Sequence, residues 1–310
     1  DTSSRAIRRE LDKCILCRRC ETVCNEVQTV GVLTGYGRGF ECVVSPAEMK
    51  PLSETICTFC GQCINVCPTA ALTGISYIRE VWDAINNPSK TVIVQTAPAV
   101  RVGIGEEFDM PPGKAATGKL VAGLRALGFD KVFDTDFAAD LTIMEEAHEL
   151  IGRLKDGKNL PILTSCCPGW VNFLEFQFPD LVNIPSTCKS PQQMFGAIAK
   201  TYYAEKIGVK PEDLIVVSIM PCIAKKYEAG REEFSHADVP DVDYVLTTRE
   251  LAKMFREAGI NPSELTDEAY DDPLGQASGA GVIFGVTGGV IEAALRTAYE
   301  WITGKELKDV

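Results

Sequence analysis

Cys14, Cys17, Cys20 and Cys24 stand at C-x2-C-x2-C-x3-C spacing, and Cys57, Cys60, Cys63 and Cys67 repeat it, followed by Pro68. Corresponding cysteines of the two runs are 43 residues apart, so the pattern is an internal repeat. Thiolates this close wrap one corner of an iron–sulfur cubane, and the fourth of each run points away to ligate the other cluster. The spacing therefore predicts two [4Fe–4S] clusters. Cys14, Cys17, Cys20 and Cys67 would hold one, and Cys57, Cys60, Cys63 and Cys24 the other. Two zinc sites would not need the doubled pattern. A disulfide scaffold fails on the clustering of the 13 cysteines and on size, because a chain of 310 residues has a core that needs no staples. Asn25 replaces the proline that usually follows the fourth cysteine, which leaves the ligands intact. Cys42, between the runs, reads as a small buried hydrophobe.

A second constellation is "TSCCPGW", residues 164–170. Adjacent cysteines make a strained disulfide and an awkward chelate for one zinc. Cys166 and Cys167 therefore read as two thiols with different jobs, between a strand and a proline-glycine turn. Upstream, Glu146 and Glu149 are three apart and share one helix face. Apolar Leu141, Ile143, Met144, Ala147, Leu150 and Ile151 surround them. By themselves they read either as a solvated acidic face or as buried carboxyls suited to moving protons.

The elements that position these residues follow from composition and pattern. The chain is 45% hydrophobic and 24% charged, with net charge −12. The acidic balance argues against nucleic-acid binding and permits a basic redox partner. The longest apolar runs are strand-length, short of the roughly 20 residues of a membrane helix. With no secretory signal visible, a cytoplasmic protein is expected. The start at Asp1 and the ending "WITGKELKDV" read as a segment of something longer. From residue 79, "TVIVQTA", "KVFDTD", "LPILTS", "DLIVVSIMP" and "VDYVLTT" alternate with helical patterns, which predicts α/β layers with a largely parallel sheet. Sites in such sheets gather at the carboxyl ends of strands. Pro98, Cys166, Cys167 and Cys222 each follow a strand-like run and would converge on one cleft.

Residues 1–78 resemble a bacterial two-cluster ferredoxin domain of α+β type. Residues 79–310 resemble the catalytic domain of an [FeFe]-hydrogenase, on "DFAADLTIMEEA", "TSCCPGW", "SPQQMFGA", "MPCIAKKYEA" and "IFGVTGGVIEAALRTAYE" in this order. The front motifs look most like catalytic subunits of multi-subunit NAD(P)-linked or electron-bifurcating members. The resemblance implies an α/β iron-hydrogenase domain, incomplete at its C-terminus, with largely parallel sheets flanking a central cleft. It implies reversible reduction of protons to H2 at an H-cluster, a [4Fe–4S] cubane joined to a two-iron unit with CO, cyanide and a bridging dithiolate amine. Electrons would come through the two front clusters, from a ferredoxin or an NAD(P)-linked flavin/iron–sulfur subunit. By motif position, Cys167 and Cys222 match cubane ligands and Cys166 a proton donor. Lys225 matches a residue that hydrogen-bonds a cyanide, Met220 and Gln192 line the pocket, and Ala97 and Pro98 form a loop offering backbone groups. The implied proton relay runs Cys166, Glu146, Ser186, Glu149, with Arg153 near the mouth. The resemblance gives Cys188 no role, and it reads as core.

One departure matters. The family supplies two further cubane ligands from a later glycine-rich cysteine motif, yet no cysteine follows Cys222. The rest is expected in the same gene or in a second chain, and the 310-residue polypeptide alone is expected to be inactive. The alternative is a degenerate relative, a non-catalytic iron–sulfur electron-transfer or assembly protein.

Overall fold

The computed structural model describes residues 1–273, 277–305 and 307. The chain divides into two compact units.

The front unit comprises Asp1–Ser76 and two returning segments, Cys167–Val182 and Cys222–Arg231. β1 (Ile7–Arg9) pairs antiparallel with β4 (Leu72–Gly74), bringing the start of the unit beside its end. β2 (Thr34–Tyr36) pairs antiparallel with β3 (Val43–Ser45). Between the pairs, the two cysteine runs fold alike. In each, a tight loop leads into a four-residue helix, Arg19–Thr22 in the first and Gln62–Asn65 in the second. Leu16, Arg18 and Phe59 take positive φ (59°, 59° and 53°), as does Gly61 (76°). Non-glycine residues accept that conformation at a cost. Here it recurs at matching positions of the repeat, because chain wrapped round a compact centre must turn this sharply. The apolar core runs through Ile7, Leu33, Val44, Phe59 and Leu72, with Cys14, Cys20, Cys24, Cys57, Cys63 and Cys67 packed against it.

The rear unit comprises Tyr77–Cys166, Asn183–Pro221 and Glu232–Val310. Its centre is β5 (Thr91–Thr96), flanked by β6 (Lys131–Asp134) and β7 (Leu214–Ile219). A minor hairpin joins β8 (Ser235–His236) to β9 (Val239–Pro240), and β10 (Tyr244–Leu246) lies on the far side of β7. All three pairings of the four-stranded sheet are parallel, as the alternating pattern predicts. Among the described residues this is the one parallel sheet. β5 reads as an apolar run because it is buried almost throughout. Helices start and stop at the expected signals. Asp134 caps Thr135–Asp156 and Gly157 ends it at φ 64°. Thr247 and Glu250 form a capping box on Thr248–Glu257.

Two local expectations fail. "LPILTS" is not a strand, and only Leu163 makes an isolated bridge, to Pro185. Pro161 before it lacks a ladder donor, and the run is held instead by the 184–188 segment. The proline-glycine pair after Cys167 is not a turn. Pro168 is the first residue of the helix Pro168–Gln177, a position where its missing N–H costs nothing. Among the described residues no helix is long and apolar enough to cross a membrane.

Candidate functional site

The cysteine repeat forms two cavities. One is lined by Cys14, Cys17, Cys20 and Cys67, together with Leu11, Arg18 and Leu72, and the other by Cys24, Cys57, Cys60 and Cys63. Their volumes are about 460 and 430 Å³, open mouths included. The fourth cysteine of each run thus stands in the cavity of the other run. Among the described residues no three His, Cys, Asp or Glu side chains converge closely enough for a single metal ion. The thiols are spread round a volume, which fits a multi-atom cluster.

Burial pushes the Cys20 thiol up to about 11 and Cys57 up to about 12, and raises Cys63 further. Cys67 differs. Burial would raise it too, but hydrogen bonds from the backbone of Leu72, Thr69 and Ala71 and from the Thr69 hydroxyl together hold it below the ordinary thiol value. The N–H groups of Val32 and Phe59 approach the sulfurs of Cys24 and Cys57 at 3.4 Å. Cys42 is only half-buried, so the expectation of a core residue is corrected: it follows a short turn, Gly39–Glu41, in the β2–β3 connection.

The returning segments bring Cys167 and Cys222 into the front unit, close enough for Cys167 to act on the Cys222 thiol, which burial raises. Cys167 stands at the N-terminal boundary of the helix Pro168–Gln177, with no side-chain capping bond, where the helix end favours negative charge. Lys225 donates to the Cys222 carbonyl through its backbone, at 3.2 Å, and its ammonium pairs with Glu228 at 3.0 Å. One contributor here escaped sequence reasoning. Asn172 is buried and donates to the Cys57 carbonyl at 3.1 Å. Its place in "CCPGWVN", within the first turns of that helix, is the only signal.

In the rear unit, Ala97 and Pro98 follow β5 and Met220 follows β7, at the carboxyl ends of strands. Ala97 donates to the Ile219 carbonyl and Met220 to the Leu246 carbonyl, so both are fixed by the ladder edge. Met220 is buried, as is Gln192, whose carbonyl accepts from Gln95 at 3.0 Å. Cys166 is half-buried and ends the irregular segment after Leu163.

The helix Thr135–Asp156 carries the carboxyl pair. Glu146 is 2% exposed, and its Oε2 is buried with no hydrogen-bond partner. Burial pushes it up to about 7, against a hydrogen bond from Ser186, with the Glu149 charge raising it further. A solvated acidic face is therefore excluded for Glu146. Glu149 is half-buried, which by itself would raise it, yet it is held below the usual carboxylate range. It accepts from the Ser186 hydroxyl (2.9 Å), the Thr187 N–H (3.0 Å) and Arg153 Nη2 (2.5 Å). Ser186 thus faces both carboxyls. Arg153 is nearly buried, and its guanidinium also donates to the carbonyls of Asn159, Ile184 and Pro185 at 2.6–2.9 Å. Met144, expected on the apolar side, is half exposed.

Cys188 is not core either. Its thiol lies 3.5 Å from Glu149 Oε2, its N–H donates to Ser186 Oγ at 3.2 Å, and burial pushes the thiol up to about 12. Its carbonyl accepts from Ser165. The available signal was its position two residues after Ser186.

Residues 90–310 match the family described as iron only hydrogenase large subunit, C-terminal domain, and residues 51–73 match a 4Fe–4S binding domain. The chain is 62% identical over 99% of its length to NADP-reducing hydrogenase subunit HndD of Solidesulfovibrio fructosivorans, covering 54% of that protein. It is 44% identical over its whole length to iron hydrogenase 1 of Clostridium pasteurianum, again covering 54%. Cytosolic iron–sulfur assembly component 3 of Mus musculus is 30% identical over 85% of the chain and 58% of that protein. Among solved structures, a variant of apo [FeFe]-hydrogenase HydA1 from Chlamydomonas reinhardtii superimposes with TM-score 0.68 and 50% identity, over 76% of this chain and 61% of that one. The chain spans about half the length of the first two of these curated relatives. On the match over residues 90–310 and these identities, the chain belongs to the iron-only hydrogenase large-subunit family.

Proposed function

We propose that this chain is part of the catalytic subunit of an [FeFe]-hydrogenase, which interconverts protons, electrons and H2. The observation that carries the reading is the gathering of cysteines in one unit: eight round two cavities, with Cys167 and Cys222 near one another on the returning segments. In this reading residues 1–78 are a ferredoxin-like domain with two [4Fe–4S] clusters, and residues 79–310 are the hydrogenase domain, built round a cleft. Identities of 62% and 44% to named hydrogenases, against 30% to an assembly protein, favour catalysis over the assembly role.

The H-cluster, when bound, supplies the site where protons and electrons combine. Cys167 and Cys222 would hold its cubane, with the remaining ligands from the segment that the longer relatives possess. Lys225, already orientated by Glu228, would hydrogen-bond a cyanide, while Met220, Gln192, Ala97 and Pro98 would shape the pocket. Cys166 would hand protons between the centre and Glu146. A carboxyl near 7 accepts and releases a proton at neutral pH with little cost. Ser186, hydrogen-bonded to Glu149, would pass the proton on, and Arg153 would hold Glu149 in place. The subunit would exchange electrons with a ferredoxin or with an NADP-linked partner of the kind the HndD name implies. A cytoplasmic setting is part of the same reading.

Infrared spectroscopy of the anaerobically matured full-length protein tests it. Bands of CO and cyanide, with H2 evolution from a reduced dye, are expected. Full cluster content with neither signal would move the protein to the assembly class.

A further inference from the structure

β5 ends on two residues that its surroundings do not call for. A strand covered on both faces is normally apolar throughout, as Val92, Ile93 and Val94 are. Gln95 and Thr96 follow them, and both are 0% exposed. A buried amide costs free energy unless its groups are bonded. Gln95 meets that demand. Its Nε2 donates to the Gln192 carbonyl at 3.0 Å and to Ser218 Oγ at 2.8 Å, and its Oε1 accepts from Thr135 Oγ1 at 3.0 Å. Both amide hydrogens are used, and so is the oxygen. Thr96 faces the opposite side of the sheet, where its hydroxyl bonds to that of Tyr270 at 2.7 Å. The end of β5 is therefore held on both faces.

The three partners of Gln95 lie on three other elements. Ser218 is its register partner on β7, two residues before Met220. Gln192 is the second residue of the helix Pro191–Ile198. Thr135 is the first residue of the helix Thr135–Asp156, which carries Glu146 and Glu149. Gln95 itself stands two residues before Ala97. One amide thus joins the elements that bear Ala97 and Pro98, Met220, Gln192 and the carboxyl pair. An apolar side chain at 95 would fill the same space, but packing contacts have no direction. Three hydrogen bonds do, and a fully satisfied buried network specifies one arrangement of what it joins.

We propose that Gln95 is a positioning residue for the catalytic centre: its amide sets where the Ala97–Pro98 loop, Met220 and Gln192 stand relative to one another and to the helix of Glu146. It acts through these neighbours. The proposal rests on the reading of Ala97, Pro98, Met220 and Gln192 as the pocket of the H-cluster. The competing account is that the four polar groups merely satisfy one another. Removing all of them together would then leave the pocket residues where they are.

The test uses the full-length protein in two states, unmatured for hydrogen exchange and anaerobically matured for infrared spectroscopy. Gln95→Leu leaves the Gln192 carbonyl and the Thr135 and Ser218 hydroxyls without their shared partner. Its melting temperature should fall by about 5 °C. Adding Thr135→Val and Ser218→Ala makes the patch apolar, and most of the melting temperature should return, since replacing all partners of a buried bond together is nearly neutral. Position should not return. In the single and the triple variant alike, the Ala97 and Met220 amides, which donate to the Ile219 and Leu246 carbonyls, should exchange about tenfold faster than in the parent. The CO and cyanide bands of both matured variants should broaden and shift. Parental exchange and parental bands in the triple variant overturn the proposal, because position then needs no amide. Where the single variant does not fold, the triple one decides alone. If the matured parent itself shows no CO or cyanide bands, the reading of the pocket fails, and the exchange of Ala97 and Met220 upholds or overturns the positioning role by itself.

Discussion

Burial acts on thiols in the front unit and on carboxyls in the rear unit, with opposite consequences for how each site is finished. The thiols of Cys20 and Cys57, at about 11 and 12, keep their protons at neutral pH unless iron displaces them. Backbone N–H groups near these sulfurs, Phe59 at Cys57 among them, offset burial only in part, so the site is completed by what it binds. In the rear unit the protein completes the work itself. The same helix carries Glu146 near 7 and Glu149 below its ordinary range; Glu146 is the more deeply buried, Ser186 lowers both, and Thr187 and Arg153 act on Glu149 alone. A cofactor-built site and a hydrogen-bond-built site should therefore fail differently.

Iron removal should separate them most sharply. Chelation leaves cysteine-lined cavities inside the front core, whereas the helix Thr135–Asp156 keeps every partner. Hydrogen exchange should accelerate in residues 1–76 by more than about 10³-fold, since metal binding by such small sites is largely folding energy. Amides of residues 138–150 should change little. Comparable loosening of both regions would erase the distinction.

The adjacent cysteines carry the comparison to its finest point, because Cys166 falls in the rear unit and Cys167 in the front one. Cys167→Ser should lose cubane iron. Cys166→Ser should keep it but lower turnover by about 10² or more, the range for loss of a positioned proton donor. Equal iron loss in both variants would show that the roles are not divided.

Glu146→Gln comes next, with turnover falling by about 10²-fold and cluster content unchanged. It also has a readout independent of activity. Raising the folded value from 4.5 to about 7 gives stability that is full below pH 4.5 and lost as pH climbs through 7. The loss is about 3 kcal/mol, and a glutamine does not suffer it. The melting temperature of the variant should thus gain on the parent from pH 4.5 to 7 and run parallel above. A constant difference across that range would mean that Glu146 is not desolvated.

How much of this was legible beforehand depends on whether a contact is written locally. The crossing of Cys24 and Cys67 between cavities follows from spacing alone, since a x3 step cannot stay on the corner wrapped by x2 steps. β5, β6, β7 and β10 announced themselves as apolar runs before helical patterns. The return of 167–182 and 222–231 to the front unit was invisible, because nothing in a linear pattern says that Tyr227 will lie on Phe59, more than a hundred residues away. "LPILTS" misled for the opposite reason: it has strand composition, but Pro161 and the demands of the cysteine loop override propensity. Cys188 was missed because cysteine is often buried as a small hydrophobe, and residue type does not reveal a neighbouring carboxylate.

Cys188 gives the smallest expected effect and the closest test of how Glu149 is held. With its proton retained to about 12, the thiol is a donor at any working pH, and it faces Glu149 Oε2 at 3.5 Å. Glu149 has three stronger donors in Ser186, Thr187 and Arg153, so one weak S–H is a minor share of its support. Cys188→Ala should raise the Glu149 value by less than about one unit, as loss of a single weak hydrogen bond implies. Turnover should change within about threefold, and its pH profile should move slightly upward on the acid side. Cys188→Ser restores an O–H donor and should return the profile to the parent position, which a purely steric role for the sulfur would not do. A large loss in the alanine variant, unrescued by serine, would mean that Cys188 packs the segment 184–188 rather than holding the carboxylate. Protein-built support for Glu149 would then rest on the backbone path of that segment more than on its donors.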